Sequence, residues 1–199
     1  MLVRQAIASE RAAEASSENA RAAKESADAA RDSSIVARIA LVSAQRAFVN
    51  FPYEFSIVKL PREDDSTVGR AWDIRLKVTN DGNTPTVGLR MRANWHWQGG
   101  VLPDDYSFSD LGQGGPEHPL RIMPKSHIFT QSLEIPKEIM DKVKRKEYRL
   151  YFYGWAEYSD VFDGTPRHRT TFCHEGSVVE TSEGHTLVLI SFPRHNEAD

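Results

Sequence analysis

The chain of 199 residues has one cysteine, Cys173. That excludes an internal disulfide and fits a reducing compartment. It has no long apolar run. The most apolar stretch, Ile35 to Ala44, is short and carries Arg38, whereas a spanning helix needs about 20 apolar residues. Charge of one sign is also lacking. The formal net charge is −3, so there is no basic footprint for nucleic acid or for an anionic membrane surface. The residues after Met1, Leu-Val-Arg-Gln-Ala, lack the sustained apolar core of a signal peptide. From these absences the chain reads as soluble and cytoplasmic, with the cytoplasmic face of a membrane as the other setting. No catalytic or cofactor motif stands out, so the expectation is a non-enzymatic protein with no cofactor and no metal.

The most informative absence is local. Residues 1–46 contain no glycine and no proline, and every Gly, Pro, Trp and Tyr lies beyond them. This composition break divides the chain into a long Ala-rich helix, 1–46, and a β domain, 47–199. Ala has the best helix propensity, and Arg, Glu, Lys and Gln follow closely. The helix is expected from about Arg4 to Arg46, on the order of 60 Å long. Two heptad rows run along it. One is Ala6, Ala13, Ala20, Ala27, Ser34 and Leu41; the other is Ser9, Ser16, Ala23, Ala30, Ala37 and Ala44. Small residues bury little apolar area per layer but allow close approach of a second helix. Two readings stand side by side: a solvated stalk, or a weak coiled coil giving concentration-dependent homo-oligomers. Near the end the seam reads as more apolar, through Ile35, Val36, Ile39, Leu41 and Val42, and this part is expected to pack on another helix or on the β domain.

Beyond Gln45 the hydrophobic period changes to two. A first long strand is expected from Arg46 to Ile57. Trp72, Ile74, Leu76 and Val78 alternate with polar residues, and Val87, Leu89, Met91, Ala93, Trp95 and Trp97 do the same. Asn80-Asp81-Gly82-Asn83-Thr84-Pro85 lies between them as a turn. Further strands are expected at 126–133, 147–158, 167–174 and 185–192, with a short helix from Pro136 to about Lys146. The fold class is mainly β with a long N-terminal helix: an immunoglobulin-like antiparallel β-sandwich of about seven strands plus one short helix.

The segment 99–125 is the exception. Gly- and Pro-rich loops of this length, about 27 residues, are usually functional or disordered. It carries Asp104, Asp105, Tyr106, Phe108 and Asp110, and reads either as a partner-binding loop or as an insertion covering a sheet edge.

Several of these residues form a pattern. Arg46-Ala47-Phe48, Trp72, Asn80-Asp81-Gly82-Asn83-Thr84-Pro85, Tyr158-Ser159-Asp160-Val161-Phe162 and His168-Arg169-Thr170-Thr171-Phe172-Cys173 resemble a broad group of uncharacterised bacterial membrane-associated proteins. In that group a membrane segment is commonly followed by an Ala-rich helix and an immunoglobulin-like β domain. The resemblance implies a membrane-tethered, non-enzymatic architecture. The present sequence shows no such membrane segment, so a membrane role would rest on a segment it does not contain.

Possible chemistry is sparse. With Cys173, the seven histidines raise the question of zinc. Adjacent Cys173 and His174 point to opposite faces of a strand, and paired ligands at short spacing are absent. His168 and Cys173 would sit roughly 16 Å apart along one strand, too far for a nucleophile and its base. Asp160 and His168 read as a hydrogen-bonded lock. Trp95, Trp97 and Trp155 form either core or an aromatic platform. The candidate partner-binding residues are therefore Trp97, Asp104, Asp105, Tyr106, Phe108, Asp160 and His168. The leading expectation is an interaction module, a helical stalk presenting a protein-binding sandwich. The alternative is a sugar- or small-molecule-binding sandwich using Trp97 and the 99–125 loop.

Overall fold

The computed structural model describes residues 2–59, 71–108, 119–182 and 184–198. Its contacts divide it into two units, Met1–Ala44 and Gln45–Asp199. The first is helix α1 (Leu2–Gln45), 44 residues long. Nothing in this run breaks a helix, and Ala lowers the cost of each added residue. The side chains from Ser9 to Leu41 are all exposed. Ile35, Val36, Ile39 and Leu41 are 49%, 65%, 64% and 57% exposed. At 3.6 residues per turn, Ile35, Ile39 and Val42 line one stripe roughly 140° around the helix from the Ala/Ser rows. Ile35, Ile39 and Val42 thus lie off the small-residue seam, whereas Leu41 stays in its first row. Among the described residues no helix is long and apolar enough to cross a membrane.

The second unit is mainly β. Its strands are β1 (Val49–Asn50), β2 (Phe55–Lys59), β3 (Ala71–Asn80), β4 (Val87–Gln98), β5 (Ser126–Phe129), β6 (Leu133–Pro136), β7 (Arg149–Ser159), β8 (His168–Thr181) and β9 (Gly184–Ser191), with helix α2 at Lys137–Lys144. They form two antiparallel sheets. One is five-stranded and centred on β3; the other is four-stranded in the order β4-β7-β8-β9. At one end of β3, Asn80 faces Val49 on one side and Ser126 on the other. At the other end, Ile74 faces both Ile57 and Leu133.

Nine strands are described where about seven were expected, because two expected strands are each broken. The first breaks at Pro52, which has no N–H for a ladder. The other breaks at Thr130, whose side-chain oxygen accepts from the Leu76 N–H at 3.1 Å. Beside it, the Gln131 amide turns to the Ala93 carbonyl of the other sheet at 2.7 Å.

Both sheets face a common core. Ile74, Leu76 and Val78 of β3 and Leu133 and Ile135 of β6 pack with Leu89 and Met91 of β4, Leu150 and Phe152 of β7 and Leu187 and Leu189 of β9. Helix α2 closes this core with Met140 and Val143. A second cluster, Leu102, Tyr151, Tyr153, Cys173 and Phe192, lies on the other face of β7 and β8. Strand β7 is therefore buried on both faces, as its pattern of consecutive buried residues shows.

The core draws all its residues from positions after Ala44. A chain beginning at Gln45 is therefore expected to unfold cooperatively, with a melting temperature within a few degrees of the full chain. Loss of a cooperative thermal transition would show that α1 contributes to the core.

Candidate functional site

The densest polar network surrounds the residues that follow α1. Ala47 and Val49 are fully buried, so their backbone groups need partners. The Ala47 N–H donates to Asp160 Oδ1 at 2.9 Å. The Phe48 N–H donates to Asn80 Oδ1 at 3.1 Å. The Val49 N–H donates to the Tyr158 hydroxyl at 3.2 Å, and the Val49 carbonyl accepts from Thr170 Oγ1 at 3.1 Å.

The turn after β3 completes this clamp. Asn80 Oδ1 also accepts from the Gly82 N–H at 3.0 Å. The Asn80 amide donates to the carbonyls of Thr84 and Ile122 at 2.7 and 3.1 Å. Backbone bonds run from Asp81 N–H to the Phe48 carbonyl at 2.8 Å and from Asn83 N–H to the Arg46 carbonyl at 3.3 Å. A Cβ at Gly82 would meet the Arg46 carbonyl at 2.3 Å and the Phe48 nitrogen at 2.6 Å. Only glycine lets the two backbones come this close.

Asp160 directly follows β7, and His168 opens β8. They meet at 2.7 Å between Oδ2 and Nε2, and both are 6% exposed. One Asp160 oxygen thus holds Ala47 and the other holds His168. This is the lock expected from sequence, but it closes on the start of the β unit as well as on its own loop. Nothing in the sequence spacing showed that Asp160 would reach Ala47 across the chain.

The other candidates lie elsewhere. Trp97 pairs with Leu150 near the start of β7, and Val87 pairs with Ser159 at its far end. Trp97 is thus about 30 Å from Asp160 along the sheet. It is 37% exposed and stacks on Tyr148 with centroids 4.3 Å apart. Asp104 and Asp105 are exposed. Tyr106 and Phe108 turn inward against the second cluster: Phe108 lies 5.3 Å from Tyr153 and 4.4 Å from the His195 ring, and Tyr106 lies 5.1 Å from His96. The first part of the 99–125 segment therefore covers the outer face of the β7–β8 sheet. Residues 109–118 lie outside the described residues.

Sequence reading missed Arg194, which donates to the carbonyls of Leu102 and Pro103 at 3.0 and 2.7 Å. It also missed Asn196, whose side chain accepts from the Cys173 N–H at 2.9 Å. Both hold backbone groups, and a role of that kind leaves no motif.

Cys173 is fully buried, and burial pushes its thiol up to about 12. It is therefore protonated near neutral pH and a poor nucleophile or metal ligand. Its neighbour His174 faces the opposite side and reaches the Phe51 carbonyl at 3.1 Å through Nε2. That contact requires Nε2 to carry the proton, and it leaves Nδ1 without a hydrogen bond. Burial holds the His174 pKa below its ordinary value, as it does for His195. Among the described residues, no group of three or more His, Cys, Asp and Glu side chains is placed to hold a metal ion.

An open groove of about 390 Å³ lies between the turn after α2 and β8, lined by Val143, Lys146, Tyr148, Arg149, Glu175 and Val179 among others. Arg149 is engaged by Glu175 at 3.1 Å. Comparison of the chain with protein-family models, curated proteins and solved structures finds no match.

Two outcomes follow from the clamp. Asp160→Ala removes the carboxylate that the Ala47 N–H and His168 share and is expected to destabilise by about 3 kcal/mol. Asp160→Asn keeps both contacts possible and is expected to cost about 1 kcal/mol. Chemical denaturation measures both, and equal effects would refute the assignment.

The second outcome concerns pH. His174 is 3% exposed and its folded pKa is depressed. Below the ordinary histidine value near 6.5 the unfolded chain binds a proton that the folded chain refuses, so stability falls as pH drops until the folded pKa is reached. The expected slope from this residue is at most about 1.4 kcal/mol per pH unit. His174→Gln should flatten the stability profile between pH 7.5 and 5.5; an unchanged profile would rule this out.

Proposed function

We propose that the chain is a non-enzymatic interaction module in which a helical stalk presents a protein-binding β domain. The observation that carries this reading is the commitment of the polar side chains. Asp160, His168, Tyr158, Thr170 and Asn80 are the buried groups best suited to chemistry, and Asp160, Tyr158, Thr170 and Asn80 bind backbone groups of residues 47–49 while His168 pairs with Asp160. A clamp built this way resists displacement of the segment that joins helix to β unit. That suits a module that bears or transmits load.

The finer fold reading is an immunoglobulin-like sandwich, with broken edge strands raising the strand count. Its support is the shared core between two antiparallel sheets. The proposed family is the bacterial membrane-associated group resembled by the motifs, and its support is that residues of four of them, Ala47, Asn80, Asp160 and His168 among others, meet in the one clamp, with Trp72 outside it at the other end of β3. A membrane tether would then come from a segment outside this sequence, and the setting would be the cytoplasmic side. Weak self-association through α1 belongs to the same reading. The alternative, a sugar or small-molecule site at Trp97 and the 99–125 loop, has less behind it. Trp97 is stacked on Tyr148, and Tyr106 and Phe108 are packed inward.

Affinity capture with the full chain, followed by reconstitution with the purified partner, tests the reading. A stoichiometric protein complex that persists with Asp160→Asn is expected. A catalytic turnover abolished by Asp160→Asn at unchanged melting temperature would replace the module with an enzyme.

A further inference from the structure

Strand β8 is longer than the strand beside it. Pairing with β7 ends at Leu150↔Gly176, while pairing with β9 continues to Thr181↔Gly184. Ser177 to Thr181 is therefore a one-sided strand, about 16 Å long. The phase of its free edge can be read from nearby bonds. Phe192 N–H donates to the Cys173 carbonyl, and Thr171 N–H donates to Glu197. Odd-numbered residues of β8 thus turn their backbone groups toward β9 and the C-terminal segment. The registers with β7 and β9 show no shift, so Val178 and Glu180 direct theirs the other way, toward the groove. Among the described residues no strand pairs with that edge.

Tyr148 and Lys146 set the far wall of the groove, because the chain turns away from β8 before β7 begins. Lys146 has φ +61 and its N–H donates to the Val143 carbonyl at 3.0 Å, a left-handed residue ending α2. Charge around the groove is unbalanced. Glu175 is matched by Arg149 and Glu147 by Arg145. Lys146, which lines the groove, has no carboxylate partner among the described residues. Lys142 lies over the Tyr148 ring at 4.7 Å and donates to its hydroxyl at 3.1 Å. With Trp97 stacked on it as well, this ring is already engaged and makes a poor sugar platform.

We infer that the groove receives an extended acidic peptide that pairs as an added strand with the Val178–Glu180 edge of β8. The unpaired backbone groups select a strand, and Lys146 on the groove wall selects negative charge opposite it. Glu180 sits at the far end of the edge, so the acidic side chain of the ligand belongs near Lys146. This inference rests on the reading of the chain as a protein-binding module and names the site and chemistry of the partner.

The test is fluorescence anisotropy of the full chain with three labelled eight-residue peptides. One alternates valine and aspartate, one alternates valine and lysine, and one is the first with alternate backbone nitrogens methylated. The valine–aspartate peptide is expected to bind, with the lysine version about ten-fold weaker and the methylated version without binding. Lys146→Glu should reverse the preference between the first two. Glu180→Pro removes one outward N–H without touching the β9 ladder and should weaken binding about ten-fold. Should that variant fold poorly, amide chemical shifts of the unaltered chain decide instead, with changes expected at Ser177–Glu180. Absence of binding by the valine–aspartate peptide, equal binding of the methylated peptide, or shifts confined elsewhere would overturn the inference. Shifts elsewhere would still leave a protein-binding module, whereas a failed capture of any partner speaks against the module itself.

Discussion

The β unit depends on how four backbone groups of residues 47–49, three of them buried, find partners. Strand β1 is only two residues long, and β3 can satisfy only one of its edges. On the other edge, hydroxyls and a carboxylate from the second sheet take the place of a strand: Asp160 for Ala47, Tyr158 and Thr170 for Val49. Each unsatisfied group would cost about 1–3 kcal/mol. The arrangement therefore links the sheets by polar bonds at one end of the domain, while apolar packing links them elsewhere. It also closes an edge that would otherwise be open to another chain.

A second constraint comes from β7. A strand buried on both faces needs cover on both. Helix α2 and the β3 sheet supply one side. Segment 100–108 and the C-terminal residues 192–196 supply the other, held by Arg194 and Asn196. Tyr106 and Phe108 face Tyr153 for this reason. Aromatic residues in a glycine- and proline-rich loop resemble an exposed recognition surface in sequence. Once the sheet beneath them has two wet-looking but buried tyrosines, Tyr151 and Tyr153, they read as its lid.

The difference between what was legible and what was not follows from range. Strands β3 and β4 announce themselves by alternation, which is a local property. The composition break near residue 47 is equally local, and the helix and β unit lie on either side of it. Breaks at Pro52 and Thr130 were harder, because an interrupted strand keeps its alternation across the gap. The clamp was visible only as separate motifs. Asp160 with His168 is a contact across eight residues and was anticipated; Asp160 with Ala47 spans 113 residues and no pattern within one segment encodes it. Cys173 and His174 show the opposite case. Period-two geometry separates adjacent strand residues onto different faces, and the structure places one in the outer cluster and the other against Phe51.

Helix α1 poses a question of energetics rather than of pattern. A solvated helix of 44 residues can persist on alanine propensity, because propagation is favourable once nucleated. Its small-residue rows would add little on association, since each alanine brings little apolar area. The Ile35, Ile39 and Val42 stripe is different. Burying one isoleucine side chain contributes about 1.5–3 kcal/mol, against about 0.8 kcal/mol for the single methyl of an alanine. The two sets lie on different sides of the helix, so one partner helix cannot cover both. Any association that uses the alanine rows would leave the isoleucines in water, and any that uses the isoleucines would engage only the last turns. On this arithmetic the short C-terminal stripe offers a partner about as much as the eight alanines of the long seam together, so the two faces of α1 compete for any partner helix.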